Sequence, residues 1–142
     1  MAAHDAYLDH LAEVSLFSAC SRKDLEKIAR ASDEVEVKAG RKLVEEGHLG
    51  HEFFLVLEGK ATVSRNGKEL AEVGTGEYFG ELAILDKGPR TATVVAKTDM
   101  KLLVLGQREF LGVLDEVPGL AYKLLRIMAV RLREADLQNV GH

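Results

Sequence analysis

Residues 79–94 read FGELAILDKGPRTATV, a largely apolar run in which Glu81 and Arg90 lie on either side of a short hydrophobic segment. Gly80 lets the backbone approach a ligand closely. The residues after it predict a single helical turn, whose free N–H groups attract an anion. The run therefore predicts a binding site at this point of the fold.

The charges in the run indicate the chemistry of the ligand. The Gly-Pro turn at residues 87–89 folds the chain back, so we expect the Arg90 guanidinium to reach the same anion, and it can bind two phosphate oxygens at once. Glu81 would repel a phosphate, and its carboxylate only accepts hydrogen bonds, so we expect it to face a hydroxyl such as that of a ribose. The pattern favours a small phosphorylated sugar.

The same segment resembles the phosphate-binding cassette of cyclic nucleotide-binding domains, whose pattern is close to F-G-E-L-A-x-x-x-x-x-P-R-x-A-T-V. Upstream, residues 40–47 and 53–61 are similar to the glycine-marked strand pairs of that family. The resemblance covers nearly the whole chain, from about residue 8 to about residue 138.

The resemblance implies a ligand and its contacts. It gives the ribose 2′-hydroxyl to Glu81 and the cyclic phosphate to Arg90. A Thr or Ser at the position of Thr91 reaches the phosphate and, in some family members, the guanine amino group, whereas Ala there accompanies a preference for cyclic AMP. We expect the domain to prefer cyclic AMP to cyclic GMP. Thr91 is also compatible with cyclic GMP. The expected ligand-binding residues are Gly80, Glu81, Leu82, Ala83, Arg90 and Thr91.

The rest of the chain predicts an α+β fold. Apolar spacing and a capping box at Ser21–Asp24 predict helices over about residues 5–32. Short alternating segments over about residues 34–105, with an Asn-Gly hairpin turn at residues 65–68, predict strands. We expect an antiparallel β-barrel or jelly roll, of the cupin-like double-stranded β-helix type, flanked by the N-terminal helices and a C-terminal lid helix.

The sequence pattern predicts helices again over about residues 107–140, and Pro118 suits the first turn of the last helix. One apolar stripe is expected to pack on the barrel: Ala121, Leu124, Leu125, Met128, Leu132 and Ala135. We expect a second stripe to pack on the N-terminal helices, or alternatively to contact a second copy of the chain: Leu120, Ile127, Val130 and Leu137. The resemblance implies a lid that swings over the base, with Arg133, Asp136 and Leu137 as candidate purine contacts.

Composition bounds the class of protein. The 142 residues predict one domain spanning residues 1–142, and the net charge of −4 argues against a nucleic-acid partner. Cys20 is the one cysteine, which excludes an internal disulfide framework and fits a reducing compartment. No apolar run approaches the length of a membrane span, so we expect a cytoplasmic protein with no membrane partner.

Metal binding, catalysis and protein interaction without ligand are the alternatives to nucleotide binding. His48 and His51 suggest a metal, but no further ligands follow at a recognisable spacing, so we expect no metal and no cofactor apart from the nucleotide ligand. An enzyme of the cupin type needs metal-binding His and Glu in the barrel, so we expect no catalytic residues. The sequence predicts a stand-alone sensor or regulatory domain that signals through its C-terminal helix, with an unidentified effector protein. The alternative is a degenerate fold that acts as an interaction module without ligand.

Overall fold

The structure is a computed structural model that describes the backbone of residues 2–140 and the side chains of residues 7–136. The chain begins with α1 (Ala2–Ala12), a 3₁₀ turn (Ser15–Phe17) and α2 (Arg22–Ala31). The capping box is confirmed, because the Asp24 N–H donates to Ser21 Oγ at 3.1 Å and the Ser21 N–H donates to Asp24 Oδ2 at 3.0 Å.

Eight strands follow, and they form two four-stranded antiparallel sheets. The first sheet has the order β1-β8-β3-β6 and the second the order β2-β7-β4-β5. The prediction of an antiparallel jelly roll with flanking helices is confirmed by these two facing sheets. The strands are β1 (Asp33–Val37), β2 (Lys42–Val44), β3 (Glu52–Glu58), β4 (Ala61–Arg65), β5 (Lys68–Val73), β6 (Tyr78–Phe79), β7 (Thr93–Ala96) and β8 (Met100–Gly106).

Strand β3 is buried on both faces, which explains its continuous apolar sequence FFLVL. Its side chains alternate between two cores. Phe53 and Leu55 pack in a core shared with the helices, whereas Phe54 and Val56 pack in the core between the two sheets. The cassette follows directly from β6, which pairs with β3, so the candidate site rests on the most buried strand of the fold.

The hairpin predicted at residues 65–68 is confirmed as the β4–β5 connection. Asn66 and Gly67 both have positive φ, at 54° and 78°, as a two-residue type I′ turn requires. Strand β5 begins directly after the turn and spans Lys68–Val73. The turn follows the pair Ser64 and Thr93, at which the ladder between β4 and β7 ends.

The chain ends with α4 (Gln107–Glu116) and α5 (Pro118–Val140), and Pro118 opens the last helix as predicted. No helix in the described part of the chain, α5 included, combines the length and apolar content needed to cross a membrane.

The prediction for α5 is wrong for the stripe assigned to the barrel, whereas packing of the second stripe on the N-terminal helices is confirmed for Leu120 and Ile127. Leu125 and Leu132, assigned to the barrel, are each 65% exposed. The residues that pack are Leu120, Leu124 and Ile127, which join the core shared with the N-terminal helices. The buried residue Val117 and the contact of α5 with the 3₁₀ turn fix the rotation of the helix, so Leu125 and Leu132 of the larger stripe remain outside. Leu137 lies outside the residues whose side chains are described.

Candidate functional site

The site begins at Gly80, which links β6 to the short helix α3 (Glu81–Leu85), the single turn that the sequence predicts. Gly80 has a φ of 98°, a conformation that favours glycine. A Cβ atom here would also lie 2.6 Å from the Glu52 carbonyl oxygen and 2.8 Å from Arg90 Nη1. Backbone conformation and lack of space therefore both require glycine at this position.

Arg90 is buried, with 7% of its surface exposed. Its Nη2 donates to the Glu52 carbonyl at 3.1 Å and its Nη1 to the Gly80 carbonyl at 3.4 Å. The guanidinium also lies 6.0 Å from the centroid of the Phe54 ring. Burial lowers the pKa of Arg90, while Glu52 and Glu81 act in the opposite direction. An arginine stays protonated in such a site, so a fixed cation with unused N–H donors results.

The loop before β3 holds the backbone of Arg90 on both sides. The Arg90 N–H donates to the His48 carbonyl at 2.8 Å, and the Gly47 N–H donates to the Arg90 carbonyl at 2.9 Å. A Cβ atom at Gly50 would overlap Arg90 Nε. The sequence did not predict this cradle, because the two glycines show their role only when Arg90 is placed against them.

Glu81 is the second buried charge and is also 7% exposed. Its Oε2 has no hydrogen-bond donor in the described part of the chain, and its Oε1 lies 4.0 Å from Arg131 Nη1. Burial raises the pKa of Glu81, while a backbone hydrogen bond, Arg131 and Arg90 lower it. The carboxylate thus keeps one oxygen that is able to accept a hydrogen bond.

A cavity of about 230 Å³ lies between α3 and the second sheet. Valine side chains form its apolar wall, namely Val44, Val63, Val73 and Val94. The structure brings all six residues expected at the site to this cavity: Gly80, Glu81, Leu82, Ala83, Arg90 and Thr91. A cation and a carboxylate facing one apolar-walled cavity suit a small ligand that carries an anionic group, hydroxyls and an apolar ring.

The residue of α5 that lines the cavity is not one of those proposed from sequence as purine contacts. Arg131 of α5 lines the cavity, and its guanidinium lies 5.7 Å from the centroid of the Tyr78 ring. Arg133 and Asp136 are exposed and do not line the cavity. The rotation of α5 decides which residue faces the cavity, and the apolar stripes indicated a different rotation.

The histidines of the 47–51 loop have separate partners. His48 Nε2 lies 3.0 Å from Glu45 Oε2, whereas His51 Nδ1 lies 3.1 Å from Gln107 Oε1. Within the residues that the structure describes, no group of three or more His, Cys, Asp or Glu side chains is arranged to hold a metal ion.

Comparison with known proteins identifies related sequences. The family model described as the cyclic nucleotide-binding domain matches residues 34–117, more than half of the chain. The cyclic AMP receptor protein of Thermus thermophilus is 40% identical over 104 residues, which are 70% of this chain and 48% of that protein. The cAMP-dependent protein kinase regulatory subunit of Aspergillus niger is 41% identical over 116 residues, 80% of this chain and 28% of that protein.

Solved structures agree with the sequence relatives. The crystal structure of the Thermus thermophilus catabolite activator protein superposes with a TM-score of 0.80 at 33% identity, covering 87% of this chain and 60% of that one. The chain spans about half the length of the first curated relative and just over a quarter of the second. The similarity therefore concerns one domain of regulatory proteins that are longer than this chain.

Proposed function

The chain belongs to the cyclic nucleotide-binding domain family, and we propose that it binds a 3′,5′-cyclic nucleotide, cyclic AMP in preference to cyclic GMP, in the cavity beside α3. We propose further that it acts as a sensor domain whose C-terminal helix α5 transmits the signal. The stand-alone role expected from the sequence remains a prediction.

The observation that carries the proposal is the burial of two opposite charges at one cavity. Glu81 and Arg90 are the charged residues among the described side chains that are buried. Burying a charge costs free energy unless hydrogen bonds or an opposite charge offset the loss of water. A ligand that uses both charges accounts for the burial of this pair beside a cavity.

The two groups divide the ligand between them. The Arg90 guanidinium, fixed by the Glu52 and Gly80 carbonyls, offers its remaining N–H groups to the cyclic phosphate. Glu81 Oε2 accepts a hydrogen bond from the ribose 2′-hydroxyl, because it has no donor within the described chain. Both curated relatives named above carry cyclic AMP in their names, which supports the preference for adenine.

Helix α5 meets this site through Arg131, which lies beside Glu81 and over Tyr78. A nucleotide that contacts Glu81 changes the surroundings of Arg131, so it favours one position of α5 over another. The ligand shifts this equilibrium only by its difference in affinity for the two positions. The changed position of α5 is recognised by an effector protein or by a second copy of the chain, which contacts the exposed Leu125 and Leu132.

Isothermal titration with cyclic AMP and cyclic GMP tests the proposal. Arg90→Ala removes the phosphate cation, and we expect it to weaken binding by about 30- to several-thousand-fold. Arg133→Ala is the matched control, because it removes an exposed arginine that does not line the cavity. A thermal melt of each variant shows whether it is folded.

Two results would overturn the proposal. One is undiminished binding by folded Arg90→Ala. The other is no heat with either nucleotide for the wild-type chain, after a check that no ligand co-purified, which would favour the interaction module without ligand.

A further inference from the structure

The segment after Arg90 is held from the side by the β4–β5 hairpin. Thr91 lines the cavity and lies before the start of β7, outside any strand. The 47–50 loop holds the backbone of Arg90, whereas the Thr91 carbonyl has a partner on the hairpin. It accepts a hydrogen bond from Arg65 Nε at 2.8 Å. Arg65 is the last residue of β4.

Two further hydrogen bonds join the same parts of the chain. The Asn66 N–H in the hairpin turn donates to Glu46 Oε1 at 2.9 Å, and the Glu46 N–H donates to Thr93 Oγ1 at 3.0 Å. The ladder between β4 and β7 ends at the pair Ser64 and Thr93, so Arg65 continues the connection beyond the paired residues. The hairpin turn, the loop before β3 and the end of the cassette therefore form one hydrogen-bonded unit.

The turn is well suited to hold a position. Asn66 and Gly67 occupy the left-handed conformations of a two-residue turn, which leaves little freedom to the residues on either side. Arg65 spans from this turn to the Thr91 carbonyl, and its planar guanidinium fixes the direction of the bond. Without it, the backbone between Arg90 and β7 loses its partner on the hairpin side.

We propose that Arg65 is a positioning residue for the nucleotide site, which holds the Thr91 backbone so that the Thr91 side chain faces the ligand. This inference rests on the proposed function. Arg65 does not line the cavity, so its effect on affinity passes through Thr91.

A double-mutant cycle tests the inference by titration with cyclic AMP. Arg65→Ala is expected to weaken binding by about 2- to 12-fold, the range of one net hydrogen bond. Lys68→Ala is the matched control, because Lys68 is paired with Arg65 across the same hairpin and removes the same charge. It is expected to bind as the wild type does. In a Thr91→Ala background, the loss caused by Arg65→Ala is expected to shrink towards none, because the side chain that it orients is gone.

The outcomes separate the two proposals. Equal affinities of folded Arg65→Ala and Lys68→Ala would overturn the role of Arg65, as would a loss that stays the same in the Thr91→Ala background. A wild-type chain that binds neither nucleotide would overturn the proposed function itself, and this inference with it. Thermal melts identify any variant whose lower affinity comes from unfolding.

Discussion

The cassette (residues 79–94) and the C-terminal half of α5 both contribute residues to the cavity, but the cassette is fixed much more firmly than α5. Arg90 has two backbone carbonyls as side-chain partners and two backbone hydrogen bonds to the 47–50 loop. The α5 side reaches the cavity through Arg131, which is 61% exposed and approaches Glu81 at 4.0 Å. The cassette is preorganised for an anion, whereas the contact made by α5 is weak enough to change when a ligand arrives.

The comparison separates affinity from response. Rigid placement of Arg90 lowers the cost of binding, because its donors need no rearrangement. A response needs two positions of similar free energy, and a solvent-screened ion pair costs little to break. Substitutions in the cassette should therefore act on affinity, and those in the C-terminal half of α5 on its coupling to the site.

The largest effect is expected from Gly50→Ala, which tests the rigid placement of Arg90 without removing a charged group. The added methyl group overlaps Arg90 Nε, so the guanidinium must leave its place. We expect cyclic AMP affinity to fall by at least about 30-fold, as in Arg90→Ala, measured by titration.

Gly112→Ala is the matched control for that substitution. A Cβ atom at Gly112, in α4, meets nothing within 4 Å. Alanine favours the helix by about 1 kcal/mol over glycine, so stability should rise slightly while affinity stays the same. If Gly50→Ala kept wild-type affinity, the cradle would not be what positions Arg90.

The second prediction compares the inner and outer faces of α5. Leu124 is buried and Leu125 is 65% exposed, although they are neighbours in sequence. Leu124→Ala should lower the free energy of unfolding by about 2–5 kcal/mol, and Leu125→Ala by no more than about 0.5 kcal/mol. Urea unfolding measures both. A large cost at Leu125 would mean that the exposed face is covered in solution, and sedimentation would then show whether a second copy covers it.

The smallest effect is expected at the contact between Glu81 of the cassette and Arg131 of α5, and it is a change in how cyclic AMP affinity depends on pH. Glu81 accepts the ribose hydroxyl more strongly when it is ionised, so affinity falls as the pH drops through its pKa. Burial raises that pKa above the ordinary value of 4.5, and Arg131 lowers it. Arg131→Ala therefore leaves the pKa higher, and the acidic loss of cyclic AMP affinity should begin at a higher pH than in the wild type.

Arg133→Ala serves as the control for the pH profile, because Arg133 is exposed and does not line the cavity. Titrations from neutral to acidic pH compare the three proteins. Superimposable profiles for wild type and Arg131→Ala would show that α5 does not act on Glu81.

The same contrast explains what the sequence was able to predict. Gly80, α3 and the Asn66–Gly67 turn depend on local conformation, which a few neighbouring residues determine, and all three are found where expected. The face that α5 packs depends on its junction with α4 and its contact with the 3₁₀ turn, which lies about a hundred residues earlier in the chain. Periodicity gave two apolar stripes, and the one assigned to the barrel contains the exposed Leu125 and Leu132.

The 47–50 cradle was missed for a related reason. Its function is visible only when Arg90, far along the chain, is placed against it. Gly47 and Gly50 have the ordinary appearance of turn residues in the sequence, because a glycine required by a distant side chain has no local signal that distinguishes it. The contacts expected for Gly80, Glu81, Leu82, Ala83, Arg90 and Thr91 with a nucleotide remain predictions.

The strand order of the first sheet also determines when this domain is able to fold during synthesis. Strand β1 pairs with β8, and Asp33 lies opposite Val104. Pairs so distant in the chain pay a large loop-closure entropy, which places folding in the slower range typical of β-sandwiches. On the ribosome, β1 has no partner strand until β8 has emerged. The whole cassette, residues 79–94, has been synthesised by then. Closure of the first sheet is therefore a late event that follows synthesis of the whole cassette.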